Sequence, residues 1–153
     1  TSSSLNKKNS NLFGSVTNAI LDNIILDYDF RIDNNYDKFE YNSINTKFIF
    51  DNFETNFNFV EENGEAGNEN FLENTSIYSY NENNAFTFKS RRNRKLNLTE
   101  FYDLIYEYKN DCLVAGIKYN KQYYEDRDLK PSENLLFTVT LFPLTTYEQS
   151  QNR

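Results

Sequence analysis

The sequence predicts an all-β protein, an antiparallel meander of about eight to nine strands with one apolar and one polar face. Three observations predict it. Hydrophobic and polar residues alternate with period two along most of the chain, and side chains alternate across a strand. The chain is polar yet rich in aromatics, with 12 Tyr and 14 Phe in 153 residues. The inferred connections fall into a short set and a long set, which alternate along the chain except at the short 33–36 turn.

Thr1 to Asn11 is Ser/Asn/Lys-rich and is expected to be loose. Leu12 to Ala19 reads as a short strand containing Gly14. Asn23 to Asp33 places Ile24, Leu26, Tyr28, Phe30 and Ile32 on one face and Asp27, Asp29 and Arg31 on the other. Lys38 to Phe50 changes apolar phase, from Phe39 and Tyr41 to Ile44, Phe48 and Phe50, which predicts a bulge near Asn42-Ser43. After a turn at Asp51-Asn52, a strand carries Phe53, Phe57 and Phe59. Glu61 to Asn74 is acidic and aperiodic and reads as an exposed loop.

Thr75 to Asn81 and Ala85 to Arg91 form a predicted hairpin, and Arg91 to Lys95 is a basic connection. Two long alternating strands follow. Leu98, Tyr102, Leu104, Tyr106 and Tyr108 share one face of the first; Leu113, Ala115, Ile117 and Tyr119 share one face of the second. Tyr124 to Asn134 is a charged loop, Leu135 to Leu144 the last predicted strand, and residues 145–153 a polar tail. Strands of about ten residues are long for a soluble sheet and match a tilted crossing of a bilayer.

Composition removes several function classes. The formal net charge of -7 opposes generic nucleic-acid binding, which requires a positive field. The absence of His removes His-based acid–base catalysis and His metal ligands. A single Cys permits neither an internal disulfide nor a Cys-cluster metal site. No apolar run approaches the ~20 residues of a membrane-spanning helix. The first residue, Thr, fits a fragment or a processed product. No catalytic residue, metal or cofactor is predicted, and the chain is read as a non-enzyme.

The segment Leu98 to Leu144 carries a family resemblance. Its residues are Tyr102-Asp103-Leu104-Ile105-Tyr106-Glu107-Tyr108-Lys109-Asn110-Asp111-Cys112-Leu113, then Ala115-Gly116-Ile117-Lys118-Tyr119, Asp126-Arg127-Asp128-Leu129-Lys130-Pro131 and Leu135-Leu136-Phe137-Thr138-Val139-Thr140-Leu141. This run resembles the C-terminal barrel of the lipopolysaccharide-assembly protein family LptD, in its alphaproteobacterial form. The match over Leu12 to Asn97 is weaker, and Thr1 to Asn11 contributes nothing. The resemblance implies a C-terminal fragment of a large transmembrane β-barrel, with barrel strands over 12–144, in the outer membrane of a Gram-negative bacterium. It implies a part in the translocon that inserts lipopolysaccharide into the outer leaflet. Implied partners are lipopolysaccharide, outer-membrane lipid, an LptE-like plug lipoprotein, and periplasmic lipopolysaccharide-bridge proteins reached through an absent N-terminal domain.

Site expectations follow from that resemblance. Asp103, Glu107, Lys118, Asn120, Thr138 and Thr140 would line the lumen. Arg91, Arg92, Arg94 and Lys95 would meet lipopolysaccharide phosphates, or else form a solvated loop. Cys112 would bridge to the absent N-terminal region, or else be an ordinary buried thiol. Relatives carry two adjacent cysteines in some cases; here Leu113 follows Cys112. Phe137, Val139, Leu141 and Pro143 would lie on the seam strand that opens sideways, with Pro143 either weakening the seam or merely ending the strand. Glu61, Glu62, Glu65 and Glu69 read as a solvated loop, with divalent-cation binding the less favoured reading. A C-terminus in the periplasm would place the short connections there and the long loops outside. The alternatives are a self-contained soluble β-barrel or sandwich binding a ligand or glycan, and a small complete eight-stranded membrane barrel.

Overall fold

A computed structural model describes residues 10–64, 67–124, 129–142 and 145–152, with the backbone alone for 145–148, 151 and 152. The described residues form ten strands and no helix. They are β1 (Leu12–Leu21), β2 (Ile24–Ile32), β3 (Phe39–Phe50), β4 (Phe53–Glu62) and β5 (Asn70–Asn81), then β6 (Asn84–Asn93), β7 (Leu98–Lys109), β8 (Leu113–Gln122), β9 (Ser132–Leu141) and β10 (Thr145–Asn152). Each strand pairs antiparallel with the next in one sheet, in sequence order. β1 and β10 are not paired with each other, so the sheet is open and the small complete barrel is not formed.

The predicted meander is present with one strand more. Residues 145–152, expected as a polar tail, form β10, whose backbone pairs with β9 from Thr145↔Leu141 to Asn152↔Asn134. A polar segment without alternation can complete a ladder because the hydrogen bonds are made by the backbone. β9 is therefore an interior strand, and the expectation that it forms an edge is corrected. Pro143 lies outside the described residues, as do Thr1 to Asn9 of the expected loose segment.

Two boundaries also move. β5 begins at Asn70, within the segment expected to be loop. The bulge near Asn42-Ser43 falls earlier: Arg31 pairs with Tyr41 and Ile32 with Phe39, leaving Glu40 extra, while β3 and β4 stay in unbroken register from Tyr41 to Phe50. The phase change arises because Tyr41 faces the same side as Arg31, whose guanidinium lies 5.9 Å from its ring centre.

The connections segregate by edge. Residues 22–23, 51–52, 82–83, 110–112 and 142–144 join strands at one edge; 33–38, 63–69, 94–97 and 123–131 join them at the other. The short-turn edge is held by Asx-type contacts: Asn81 Oδ1 accepts from Asn83 N, and Asn110 Oδ1 from Cys112 N and Leu113 N. At the loop edge, Asp33 Oδ1 accepts from Asp37 N at 3.0 Å and Lys38 N at 3.2 Å. Slight desolvation raises the Asp33 carboxyl, but these backbone donors outweigh it and hold it below its ordinary value. Because β10 runs back from the short-turn edge, Asn152 ends at the loop edge, beside Asn134. The expectation that the C-terminal end lies at the short-turn edge is thereby overturned.

The pairing registers fix two faces. The apolar one carries a cross-strand row of Phe50, Phe53, Tyr78, Phe86, Tyr106, Ile117 and Phe137, each directly opposite the next. Phe86 and Tyr106 have ring centroids 5.0 Å apart, a distance at which aromatic pairs attract. At β1, Gly14 sits opposite Phe30, and a Cβ at position 14 would overlap that ring. The aromatic thus covers a strand glycine and packs where Gly14 has no side chain.

Candidate functional site

The opposite face is polar and is the better packed of the two. Ser43 is 7% exposed and Asp103 5%, whereas Leu104 on the apolar face is 52% exposed and Phe137 42%. Among the described residues only Val60 and Phe71 are buried hydrophobics, and both lie on the polar face. Side chains from β1 through β5, among them Ser15, Asp27, Asn45, Asn56 and Glu73, line one concavity of about 420 Å³ on that face. Strands so far apart share a hollow because the sheet curls toward its polar side. The apolar face is the convex one, and no second layer covers it among the described residues. The soluble alternative expects the Tyr and Phe residues to converge on a common core; here most of them lie on the convex face, with Tyr41, Phe71 and Phe101 among those on the concave one.

Cross-strand ion pairs hold the concave face. Lys47 Nζ lies 2.9 Å from Glu54, and Arg31 lies 3.2 Å from Glu40 and 2.9 Å from Glu62. Lys118 Nζ is 2.8 Å from Asp103 Oδ2, while Asn120 Nδ2 donates to Asp103 Oδ1 and Asn134 Nδ2 to Asn120 Oδ1 at 3.5 Å. Most of these groups sit opposite or diagonal to a partner on the neighbouring strand, the geometry in which opposite charges stabilise a sheet; Arg31 also reaches past Tyr41 of β3 to Glu62 of β4. A buried carboxylate such as Asp103 is tolerated because both its oxygens are satisfied. The side-chain oxygens Oδ1 of Asn45 and Asn56 are buried without a hydrogen-bond partner. Carboxylates, amides and hydroxyls in this density suit a ligand made of hydroxyl groups.

The expected lumen residues fall together. Asp103, Glu107, Lys118, Asn120, Thr138 and Thr140 all share the polar face, in register across β7, β8 and β9. The sequence singled out no lumen residue in the N-terminal half. Arg31, Lys47 and Glu54 contribute as much there, and the alternation of Asp27, Asp29 and Arg31 was the signal for them.

The basic cluster divides. Arg91 faces the concave side, where it meets Glu69 and Glu73 at 3.4 Å and Glu100 at 2.8 Å and stacks 3.9 Å from the Phe71 ring centre. Its charge is already matched, so its expected role at lipopolysaccharide phosphates is corrected to that of a structural tie. Lys95 Nζ bonds Asn63 Oδ1 and Asn68 Oδ1 and so bridges to the 63–69 connection. Arg92 and Arg94 are exposed and have no carboxylate partner among the described residues. The acidic loop does not converge either: Glu62 binds Arg31, Glu69 binds Arg91, and Glu61 accepts from Asn63. Glu65 lies outside the described residues.

Cys112 sits in the β7–β8 turn with its thiol exposed, so the buried-thiol reading is overturned. Its backbone is pinned between Asn110 Oδ1 and Phe142 N, the latter donating to Cys112 O at 2.9 Å. Phe137, Val139 and Leu141 lie on the convex face opposite Ile117, Ala115 and Leu113. No helix of the described residues is long and apolar enough to cross a membrane. Comparisons with protein-family models, with curated proteins and with solved structures returned no match.

Proposed function

We propose that this chain is a section of the wall of an outer-membrane β-barrel, and that the barrel passes lipopolysaccharide to the outer leaflet. One observation carries the membrane part of the reading: β1 to β9 share an exposed, aromatic, convex apolar face and a concave, ion-paired polar face. In water that arrangement leaves apolar surface far beyond what monomers tolerate. In a bilayer it satisfies both phases, lipid outside and a wet lumen inside. Strands of 8 to 12 residues match the crossing length. The open edges of β1 and β10 require further strands, since unpaired backbone groups are costly in hydrocarbon.

The cargo has a separate basis. The Leu98 to Leu144 resemblance names lipopolysaccharide, and a wall of carboxylate, amide and hydroxyl groups suits its sugars. An LptE-like plug and periplasmic bridge proteins belong to the same proposal, as does a bridge from exposed Cys112 to a region outside this chain. The seam role moves from β9 to β10, the strand with an unpaired edge. The test is photo-crosslinking with the probe at Thr138 or Asn120, introduced into the native coding sequence. Capture of lipopolysaccharide at these positions, and not at the convex-face Val139, is the expected result. Recovery of the protein in the aqueous fraction, or capture at no polar-face position, would sink the proposal.

A further inference from the structure

We infer that the convex face carries a binding groove for a negatively charged, phosphate-headed acyl lipid, with its headgroup at Arg92 and Arg94 and a chain lying along β5 and β6. This rests on the proposed membrane placement of that face. The groove is a pocket of about 400 Å³ walled by Phe57, Leu72, Phe88 and Tyr102, within the size range of small-molecule sites.

Its cause is legible in the registers. On the convex face the row Phe57, Asn74, Ser90, Tyr102 puts two small side chains between two rings. The row toward the short turns has Phe88, and the row toward the loops has Leu72 opposite Arg92. The gap over Asn74 and Ser90 therefore opens lengthwise and ends at a guanidinium. Of the two polar floor residues, Asn74 is internally satisfied. Asn74 Nδ2 donates to Thr55 Oγ1 at 3.0 Å and to Asn56 O at 3.2 Å, and Ser76 Oγ donates to Asn74 Oδ1 at 3.1 Å. A hydrocarbon chain can cover Asn74 without orphaning a donor.

The head of the groove has the complementary charge. Arg92 spends one donor on Asn97 Oδ1, which fixes the side chain, and a guanidinium has five. Asn97 reaches it from a left-handed backbone position (φ 52°) that Asn tolerates. Arg94 lies on the same side, its guanidinium 4.9 Å from the centre of the Phe59 ring. Glu61, on the same face at the same edge, accepts from Asn63 instead of pairing with either arginine. Two cations without a carboxylate partner among the described residues, beside an apolar slot, fit an anionic amphiphile. A free phosphate would leave the slot empty, and a neutral lipid would leave the guanidinium groups unmatched.

The test uses the whole chain in neutral-detergent micelles, with native mass spectrometry counting retained phosphatidylglycerol against phosphatidylcholine. Phosphatidylglycerol should be retained at least about tenfold more. The double variant Arg92→Ala/Arg94→Ala should abolish the preference. Ser90→Phe should reduce retention of phosphatidylglycerol while both arginines remain, and circular dichroism verifies that each variant keeps its sheet. Equal retention of the two lipids overturns the inference and leaves the membrane reading intact. Retention unchanged by Ser90→Phe, or lost to added inorganic phosphate alone, overturns the acyl-lipid occupant. A chain that folds in buffer and does not enter micelles overturns both the inference and the membrane reading.

Discussion

The concave and convex faces of this sheet are made from the same strands and differ in how their residues are satisfied. On the concave side, charged groups are partly or wholly buried and matched: Asp103 by Lys118 and Asn120, Arg91 by three glutamates, Arg31 by two. On the convex side, large apolar residues stand exposed and are covered by nothing among the described residues. A water-soluble fold buries apolar surface first, because that is its main driving force. Here the polar side is the buried one, and the missing partner of the apolar side has to come from outside.

The largest expected effect places one charge on each face. Leu104→Arg, at the middle of β7 on the convex side, should lower stability in phospholipid vesicles by about 2–4 kcal/mol. Glu107→Arg, on the concave side of the same strand, should change it by less than ~1 kcal/mol. Urea unfolding in vesicles measures both, and equal costs would erase the distinction between the faces.

Asp103→Ala removes the acceptor that satisfies both Lys118 and Asn120. It should cost about 1.5–3 kcal/mol, the range for hydrogen bonds to charged groups. A double-mutant cycle with Lys118→Met should show coupling above ~0.5 kcal/mol; additive costs would mean the ion pair contributes nothing. Gly14→Ala drives a Cβ into the Phe30 ring and should cost about 1–3 kcal/mol, as overpacking does. Gly14→Ala combined with Phe30→Leu should recover part of that loss, and no recovery would remove the glycine–ring pairing as the cause. Smallest is Cys112→Ser, expected within ~0.5 kcal/mol because the thiol is exposed in a turn. Labelling of Cys112 by a membrane-impermeant maleimide then reports which side of the bilayer holds the short turns.

Much of this contrast was legible in the chain. Alternation placed Asp103, Glu107, Lys118, Asn120, Thr138 and Thr140 on one side before any coordinates, because period two leaves a strand residue only two faces. Connection lengths separated the edges, and the 33–38 segment, which read as a short turn, proved to lie on the longer side. Three features were not legible. β10 has no hydrophobic pattern, so only its ladder with β9 identifies it. The bulge at Glu40 depends on Arg31 and Glu62 across the sheet. Arg91 and Arg92 are adjacent in sequence but on opposite faces, one neutralised and one without a carboxylate partner among the described residues, a split that follows from which strands flank β6.

What the sequence alone determined is the class of structure: all-β, antiparallel, two-faced, long-stranded. Period-two patterning and turn chemistry are local and are written residue by residue. What only the tertiary structure decided is which face is inside. Patterning is symmetric between the two sides of a sheet, and the direction of curl breaks that symmetry by bringing residues of five strands around one hollow. The same registers put Asn74 and Ser90 side by side under a guanidinium, a juxtaposition that residues 16 positions apart acquire only when β5 and β6 pair.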